Sequence, residues 1–338
     1  MKLINWHNEV KIVLGYNRAC IYDLSREEYY LAPKEIITLI EKIKGKELNV
    51  ILSYCDEVER EWLQFLFKNE FIFEIDEEVF NCFDKIDSDW KSPSVIENVI
   101  IEFGLEGIID YINYFNVKKA IIWITREVSL DELRRYISNN FTGSTIQNIE
   151  LLFECMNYPD IDNLRSENPL VDGFFVPKKT GNYISPMFIC NANFYRESLQ
   201  FNTYLNKKLF LAQNGNYSNS SFSEVLGNLF EIDIESSRDF VKKMVSTEYW
   251  YAKKDNCLVC SRCEFRYMCY VDDLPLLSND NQWRYPRECA YNPFISKWRG
   301  ESGYKSLKES GVFLSENGIN IDKKKLSETN QILWDYEG

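Results

Sequence analysis

The sequence predicts a mixed α/β protein, α+β overall, built from three consecutive domains. Residues 1–80 have the pattern of strands followed by helices, residues 81–186 alternate between strand and helix patterns, and residues 187–338 carry closely spaced cysteines. The chain has 338 residues, of which 45% are hydrophobic. A chain of this length and composition has enough apolar material for more than one core.

The first domain is predicted as a β-β-β-α-α-β unit. Alternating apolar and β-branched residues predict the strands, and a proline start and an aspartate N-cap predict the helices. The predicted elements are strands 10–14, 19–24 and 28–31, helices 33–44 and 56–69, and strand 71–75.

The middle domain is predicted to contain a parallel sheet, because strands that alternate with helices form βα units. The predicted elements are helix 94–103, strand 120–124, helix 129–138, and strands 149–154 and 173–176. Three or four such units are too few for a closed eight-fold barrel. The segment has no glycine-rich phosphate-binding loop.

The last domain begins with a predicted hairpin whose turn is Asn214-Gly215, followed by a second turn at Gly227-Asn228. Helix 236–245 is predicted to precede the cysteines.

The cysteines of this domain have the spacing of metal ligands. Cys257, Cys260, Cys263 and Cys269 lie close together, and Cys289 follows after a polar connection. Thiolates ligate zinc and iron–sulfur clusters, and a C-x2-C pair brings two sulfurs to one metal centre. Unrelated buried thiols and disulfides are the alternatives. The isolated Cys82 and Cys155 are expected to be packing residues.

The charge and composition of the chain limit which binding partners and which cellular compartment are expected. A net charge of −13 argues against binding to nucleic acid or to anionic membranes. The sequence has neither a signal-peptide pattern nor an apolar run long enough to span a bilayer. We therefore expect a cytoplasmic protein with reduced thiols, which favours metal over disulfides. The single histidine, His7, makes histidine-based catalysis an improbable mechanism.

From Tyr204 to Trp298 the chain resembles a SPASM domain, the cysteine-rich domain of many radical SAM peptide-modifying enzymes. The hairpin, the second glycine turn and the C-x2-C-x5-C pattern followed by a late cysteine carry the resemblance. The resemblance implies one [4Fe–4S] cluster on Cys260, Cys263, Cys269 and Cys289. Cys257 is then a spare thiol or an alternative ligand.

Two departures from the family pattern change what it implies. Ser220 and Asp273 stand where the family has cysteines of a second cluster, and an upstream cysteine of that cluster is also missing. One auxiliary cluster is therefore expected instead of two. The chain has no C-x3-C-x2-C motif, so no radical SAM activity is expected.

The first domain resembles the winged-helix module that binds leader peptides in ribosomal-peptide maturation systems. The resemblance implies that a peptide adds as a strand along the third predicted strand, beside a helix. The expected peptide-binding residues are on that strand and on the second helix: Glu28, Tyr29, Tyr30, Leu31, Trp62 and Phe65. A structural or dimerising module is the alternative, and DNA binding is disfavoured because no basic stripe occurs.

As a whole, the chain resembles the SPASM-domain peptide maturase of grasp-with-spasm systems. The match rests on the segments 263–269 and 289–293, followed by Trp298. It implies a winged-helix-like recognition module, a truncated radical-SAM-like partial α/β barrel and a SPASM domain. It also implies a short precursor peptide and an ATP-grasp peptide ligase as partners. A zinc-stabilised scaffold and a redox enzyme that uses Cys257 are the alternatives.

The missing three-cysteine motif gives a first prediction. Incubated with S-adenosylmethionine under reducing conditions, the protein should form no 5′-deoxyadenosine, because nothing anchors the cluster that cleaves this cofactor. Chromatography against a protein-free control measures the product, and formation above that control would contradict the prediction.

Overall fold

The computed structural model describes residues 1–80, 89–154, 159–175, 183–221, 223–232, 248–279, 281–315 and 318–334. The protein is a mixed α/β protein with a partly parallel sheet. No helix among these residues has both the length and the apolar character needed to cross a bilayer.

The strands are, in chain order, β1 (Lys2–Trp6), β2 (Val10–Leu14), β3 (Arg18–Asp23), β4 (Glu28–Pro33), β5 (Ile72–Asp76), β6 (Asn98–Glu102), β7 (Lys119–Ile124), β8 (Asn148–Phe153), β9 (Val171–Phe175), β10 (Tyr183–Ile184), β11 (Met187–Phe188), β12 (Lys208–Leu211), β13 (Asn216–Ser218), β14 (Gly227–Asn228), β15 (Cys269–Tyr270), β16 (Leu276–Leu277), β17 (Trp283–Arg284), β18 (Glu288–Cys289), β19 (Tyr291–Asn292), β20 (Lys297–Trp298), β21 (Val312–Ser315) and β22 (Gly318–Ile321).

The α-helices are α1 (Ile36–Ile43), α2 (Leu48–Tyr54), α3 (Glu57–Lys68), α4 (Glu77–Phe80), α5 (Ile109–Phe115), α6 (Leu130–Phe141), α7 (Asp162–Glu167), α8 (Ala192–Gln200) and α9 (Lys323–Trp334).

The chain divides into two compact units that are discontinuous in sequence. Unit 1 comprises Met1–Trp90, Asn182–Phe201 and Lys253–Gly338, and unit 2 comprises Lys91–Gly181 and Asn202–Ala252. This packing differs from three consecutive domains at 1–80, 81–186 and 187–338. The difference arises because β12 pairs in parallel with β6, which brings the predicted hairpin into the sheet of the middle segment.

In unit 1, the central strand β3 of the antiparallel sheet β2-β3-β4 is buried on both faces. Successive side chains of a strand point to opposite faces. Ala19 and Ile21 pack into a core with α1, α2 and α3, whereas Cys20 and Tyr22 pack into a second core. That second core includes Phe265, which lies between the clustered cysteines. The first 80 residues therefore share a core with the cysteine-rich segment.

Unit 2 is organised by a seven-stranded sheet in the order β14-β13-β12-β6-β7-β8-β9. The strands from β12 to β9 are parallel, and β13 and β14 extend the sheet antiparallel. Helices α5, α6 and α7 connect β6 to β9 along the chain. Alternate residues of the central strands form the buried face: Val99, Ile101, Ala120, Ile122, Ile124, Ile149, Leu151 and Phe153.

Most predicted elements are confirmed, often with the capping residues expected. Asp56 and Ser129 each form a capping box at the start of α3 and α6. Helix α1 begins later than predicted because Pro33 still pairs with Arg18 in the sheet. The turn at Gly215 is also confirmed, with a φ of 84° that favours glycine. Strand β1 and helix α2 were not predicted.

Two predictions about local structure are wrong. Residues 94–103 contain strand β6 instead of a helix, because the short run Asn98–Glu102 pairs with β7 on one side and β12 on the other. A short apolar run fits both periods, and its neighbours decide between them. The predicted turn at Gly227 is part of β14, where a Cβ would lie 2.7 Å from the Tyr217 hydroxyl. The predicted helix 236–245 lies outside the described residues.

The contact between β2 and the cysteine-rich segment predicts the effect of a small substitution. A Cβ on Gly15 would lie 2.5 Å from Glu264 Oε2 and 2.9 Å from the Glu264 backbone nitrogen. Gly15→Ala should therefore destabilise the protein by about 1–3 kcal/mol through overpacking. We expect Gly15→Ala to lower the midpoint temperature of thermal unfolding. Gly173→Ala is the control, since a Cβ there meets no atom within 4 Å. Equal midpoints for both variants would contradict this packing.

Candidate functional site

The five clustered cysteines line one cavity of about 480 Å³ in unit 1. These residues are Cys257, Cys260, Cys263, Cys269 and Cys289. Sequence reasoning brought them together by spacing alone, and the fold places all five at one site. Cys257 is buried, and the other four are half-buried.

Backbone hydrogen bonds hold each cysteine at the cavity. Two short 3-10 turns, Lys254–Asn256 and Cys260–Arg262, present the first three cysteines. Ser261 N–H donates to Cys257 O at 2.8 Å, and Cys263 N–H donates to Cys260 O at 2.9 Å. The last two cysteines lie on short strands: β15 pairs with β11, and β18 pairs with β10. Distant segments are thus needed to complete the site.

The thiols differ in acidity because their surroundings differ. A hydrogen bond donated by the Cys257 thiol, together with the nearby Lys254 ammonium, lowers the pKa of Cys260 to about 7 although burial opposes this. The same hydrogen bond and burial raise the pKa of Cys257. Burial raises the pKa of Cys269 to about 11 and that of Cys289 to about 12.

A buried cation faces these thiols. Lys254 is only 7% exposed, and its Nζ donates to the Tyr285 hydroxyl at 2.6 Å. Burial acts to lower the pKa of Lys254, but Tyr285 and the thiols of Cys269 and Cys260 raise it well above its usual value. The site therefore has a fixed positive charge suited to thiolates or to an anionic cluster.

The thiols surround the cavity without converging on one point. Among the described residues, no three His, Cys, Asp or Glu side chains are placed to hold a single metal ion. A zinc ion needs four donors at ~2.0–2.3 Å from one centre, whereas an iron–sulfur cluster spreads its thiolate ligands around several metal atoms. Thiolates are ligands of both zinc and iron–sulfur clusters, so the chemistry of the five thiols suits either group.

The remaining described cysteines are packing residues. Cys55 belongs to the core under the helices, and Cys20 and Cys190 belong to the core against the cysteine-rich segment. Cys82 and Cys155, predicted to be packing residues, lie outside the described residues.

Polar contacts occupy the two positions where the SPASM pattern has other cysteines. Ser220, 1% exposed, accepts a hydrogen bond at its backbone oxygen from Ser218 Oγ at 2.7 Å. Asp273 pairs with Arg287 at 3.0 Å. Both positions therefore hold polar residues that are hydrogen-bonded or ion-paired to neighbouring groups.

The second predicted site lies on β4, an edge strand of the sheet β2-β3-β4. Gly15 N–H donates to Arg18 O and Leu24 N–H donates to Glu9 O, so the even-numbered residues of β3 direct their backbone groups to β2. The odd-numbered residues then bond to β4.

With the register Ile21↔Tyr30, the backbone of Tyr30 bonds to β3, and the backbones of Tyr29 and Leu31 face the outer edge. No described strand pairs with that edge.

The side chains of this predicted site fall on two faces. Tyr30 packs edge-to-face against Phe65 with ring centroids 5.8 Å apart, and Phe65 packs edge-to-face against Trp62 at 5.3 Å. The Tyr30 hydroxyl donates to Glu28 Oε2 at 2.6 Å. The structure thus joins Glu28 and Tyr30 of the strand to the aromatic residues of α3.

Tyr29 and Leu31, 41% and 42% exposed, lie on the opposite face. There Tyr29 contacts Phe188 and Phe265, each at 5.8 Å between centroids.

Sequence reasoning missed a buried charge network next to the cysteines. Glu264 has no solvent exposure, and its Oε1 accepts from Arg18 Nε at 2.6 Å and from the Tyr291 hydroxyl. Arg18 also donates to Tyr291 at 3.1 Å. The sequence feature that could have indicated this network is Glu264, a charged residue directly after Cys263 within an aromatic segment. Nothing in the sequence identifies Arg18 as its partner, because the two residues are 246 positions apart.

Searches against protein-family models and against curated proteins find no match to this chain.

The acidities of Cys269 and Cys289 predict how metal binding depends on pH. Both thiols are protonated near neutral pH because their pKa values are about 11 and about 12. Ligation requires thiolates, so metal uptake releases these protons. For metal-stripped protein, affinity for Zn²⁺ as a probe should rise by about tenfold or more per pH unit between about pH 7 and about pH 9.

Competition with a chelator at each pH measures this affinity. The control is Cys55→Ala, which leaves the cavity intact. An affinity that stays constant over this range would contradict the assignment of these thiols as ligands.

Proposed function

We propose that this protein is an accessory maturase of a ribosomally synthesised peptide system. It binds a precursor peptide, acts with an ATP-grasp ligase, and carries one [4Fe–4S] cluster. The observation that carries the proposal is the cavity of unit 1, which five cysteines from separate turns and strands line together. The partners rest on the resemblance of the sequence to grasp-with-spasm maturases.

In this proposal Cys260, Cys263, Cys269 and Cys289 hold the cluster. The bound cluster supplies a cross-link between the turns at 257–263 and the strands β15 and β18, and a centre able to exchange one electron. The Lys254 ammonium, held by Tyr285, offsets the negative charge of the thiolates. Cys257, which donates to Cys260, is the alternative ligand.

The architecture that we propose follows the same resemblance. Residues 1–80 form a winged-helix-like recognition module, the parallel sheet of unit 2 is a truncated partial barrel, and the cysteine-rich segment is a SPASM domain. The sheet β2-β3-β4 packed on helices supports the first of these assignments. The βα succession from β6 to β9 supports the second.

The peptide is proposed to add to β4 as a further strand. The outward backbone groups of Tyr29 and Leu31 give the hydrogen bonds, and the half-buried Trp62 and Phe65 give an apolar wall. A net charge of −13 favours a partner segment that carries basic residues.

A redox enzyme is the second candidate, favoured by one observation. The hydrogen bond from the Cys257 thiol lowers the pKa of Cys260 to about 7 although burial opposes this, which is the direction that favours a thiolate. A C-x2-C pair of this kind is a common redox motif. In this alternative Cys257 and Cys260 are oxidised to a disulfide while a substrate disulfide is reduced to two thiols by the two electrons and two protons. Cys260 would then be lost to the metal site.

The ligand assignment predicts the metal content of cysteine variants. Cys260→Ala, Cys263→Ala, Cys269→Ala and Cys289→Ala should each lower iron content and destabilise unit 1, because ligation there is coupled to folding. Cys257→Ala should retain most of the iron. Elemental analysis of anaerobically purified protein measures the iron content of each variant, and thermal unfolding measures its stability. Cys55→Ala is the control for loss of a buried thiol. Loss of iron in Cys257→Ala together with retention in Cys289→Ala would contradict the assignment.

The edge geometry predicts which backbone position peptide binding depends on. Affinity for the precursor peptide encoded beside this chain should be near micromolar, about −8 kcal/mol. Leu31→Pro removes an outward N–H and should weaken binding by about tenfold more than Leu31→Ala, which loses the side chain alone. Calorimetry on the full chain measures both. Equal affinities for the two variants would place recognition elsewhere.

Tyr30→Pro is unsuitable for this test, because the Tyr30 N–H bonds to β3 within the sheet.

A further inference from the structure

A second cavity of unit 1, here called the α9 cleft, has no role in the proposed function. It is an open cleft of about 600 Å³ between the turn after β2, the segment before β20, and α9. The lining residues that matter are Asn17, Arg18, Ser296, Asn330, Gln331 and Trp334.

The wall of the α9 cleft is fixed by hydrogen bonds. Asn17 Nδ2 donates to Phe294 O at 2.7 Å and to Asn330 Oδ1 at 2.9 Å. Asn330 Nδ2 donates to the same Phe294 oxygen at 3.0 Å. The two amides therefore lock the turn after β2 to α9 and leave little freedom in the wall.

Two polar groups in this wall have no hydrogen-bond partner among the described residues. Ser296 is 3% exposed, and its Oγ makes no hydrogen bond within the described residues. The Trp334 Nε1–H, which can only donate, is buried and equally unpartnered there. Leaving a buried polar group unpaired is unfavourable, so two such groups at one cleft point to a ligand that accepts hydrogen bonds.

The backbone at Ser296 is strained in the same place. Its φ of 52° lies in the left-handed region, which is uncommon for residues other than glycine and asparagine. Such strain concentrates at binding and catalytic positions. In the segment before β20, Ser296 is the residue that the structure describes as lining the cleft, and its left-handed backbone fixes the position of its side chain.

Two cationic side chains lie at the α9 cleft, and one of them, Arg18, is paired with the buried Glu264. Arg18 uses Nε and Nη2 on Glu264 and Tyr291, which leaves Nη1 with no hydrogen bond among the described residues. Lys297 Nζ lies 4.5 Å from the centroid of the Trp334 ring. Among the residues that the structure describes, those that line the cleft include no carboxylate.

We propose that the α9 cleft binds a carboxylate, which either a free amino acid or the C-terminus of a peptide could supply. The Ser296 hydroxyl and the Trp334 N–H donate to its oxygens, and the free Nη1 of Arg18 supplies a charged donor. The proposal stands independently of the metal centre.

The test is calorimetry on the full chain with four probes. These are N-acetylglycine, its amide, and one short peptide with a free or an amidated C-terminus. Both acids should bind at millimolar concentration or below, and both amides should bind at least tenfold more weakly. Tighter binding of the peptide acid than of N-acetylglycine assigns the site to peptide termini, and equal binding assigns it to small carboxylates.

Variants of the two donors sharpen the test. Trp334→Phe and Ser296→Gly should each weaken acid binding by about tenfold, since each loses one hydrogen bond to a charged group. Glycine at 296 accepts the positive φ, so this variant should stay folded and be at least as stable as the wild type. Ser166→Ala, on an exposed helix of unit 2, is the control and should change nothing. Iron content should stay unchanged in all three, which separates this site from the metal centre.

The proposal is overturned if acids and amides bind alike, if no probe binds at millimolar concentration, or if Ser296→Gly and Trp334→Phe retain wild-type affinity.

Discussion

Unit 1 depends on the interactions of one carboxylate, that of Glu264, which is buried without solvent contact. It lies directly after Cys263 and is paired with Arg18 of β3 and with Tyr291, two residues after Cys289. The Tyr22 hydroxyl donates to the Glu264 backbone oxygen at 2.6 Å. Removing one partner of a buried ion pair typically costs about 3–5 kcal/mol, because the other charge is left uncompensated. The sheet β2-β3-β4 and the cysteine-rich turns are thus held together by charge as well as by apolar packing.

This arrangement places the two candidate sites in contact. Phe265 belongs to the core shared with β3, and Tyr29 of the β4 edge packs edge-to-face against it. Phe188, which also contacts Tyr29, pairs with Cys269 between β11 and β15. Phe265 and Phe188 therefore connect the cysteine turns to the β4 edge by direct packing. Any effect of a ligand at one of these sites on the affinity of the other is reciprocal by linkage.

Local signals in the sequence were sufficient to predict local structure and the grouping of the five cysteines at one cavity. Asp56 and Ser129 predict the starts of α3 and α6, because a capping box needs only neighbouring residues. The cysteine spacing predicts a shared site, because four of the five cysteines lie within one short segment. The long-range pairings had no such signal. The parallel pairing of β6 with β12 converted a predicted helix into a central strand and divided the chain into discontinuous units.

The sequence predicted which residues form the candidate peptide-binding edge, but not which of their backbone groups face outward. Glu28 to Leu31 lie on an edge strand as expected, yet only the register with β3 reveals that Tyr29 and Leu31 direct their backbone groups outward. The partnership of Arg18 with Glu264 likewise depends on tertiary packing between segments 246 residues apart.

The central claim is that the five-cysteine cavity holds an iron–sulfur cluster, and metal analysis of the full chain tests it most directly. Protein purified without oxygen should contain about four iron and about four acid-labile sulfide per chain, with little zinc. One zinc per chain, with neither iron nor sulfide after anaerobic reconstitution, would contradict the account and favour a zinc-stabilised scaffold.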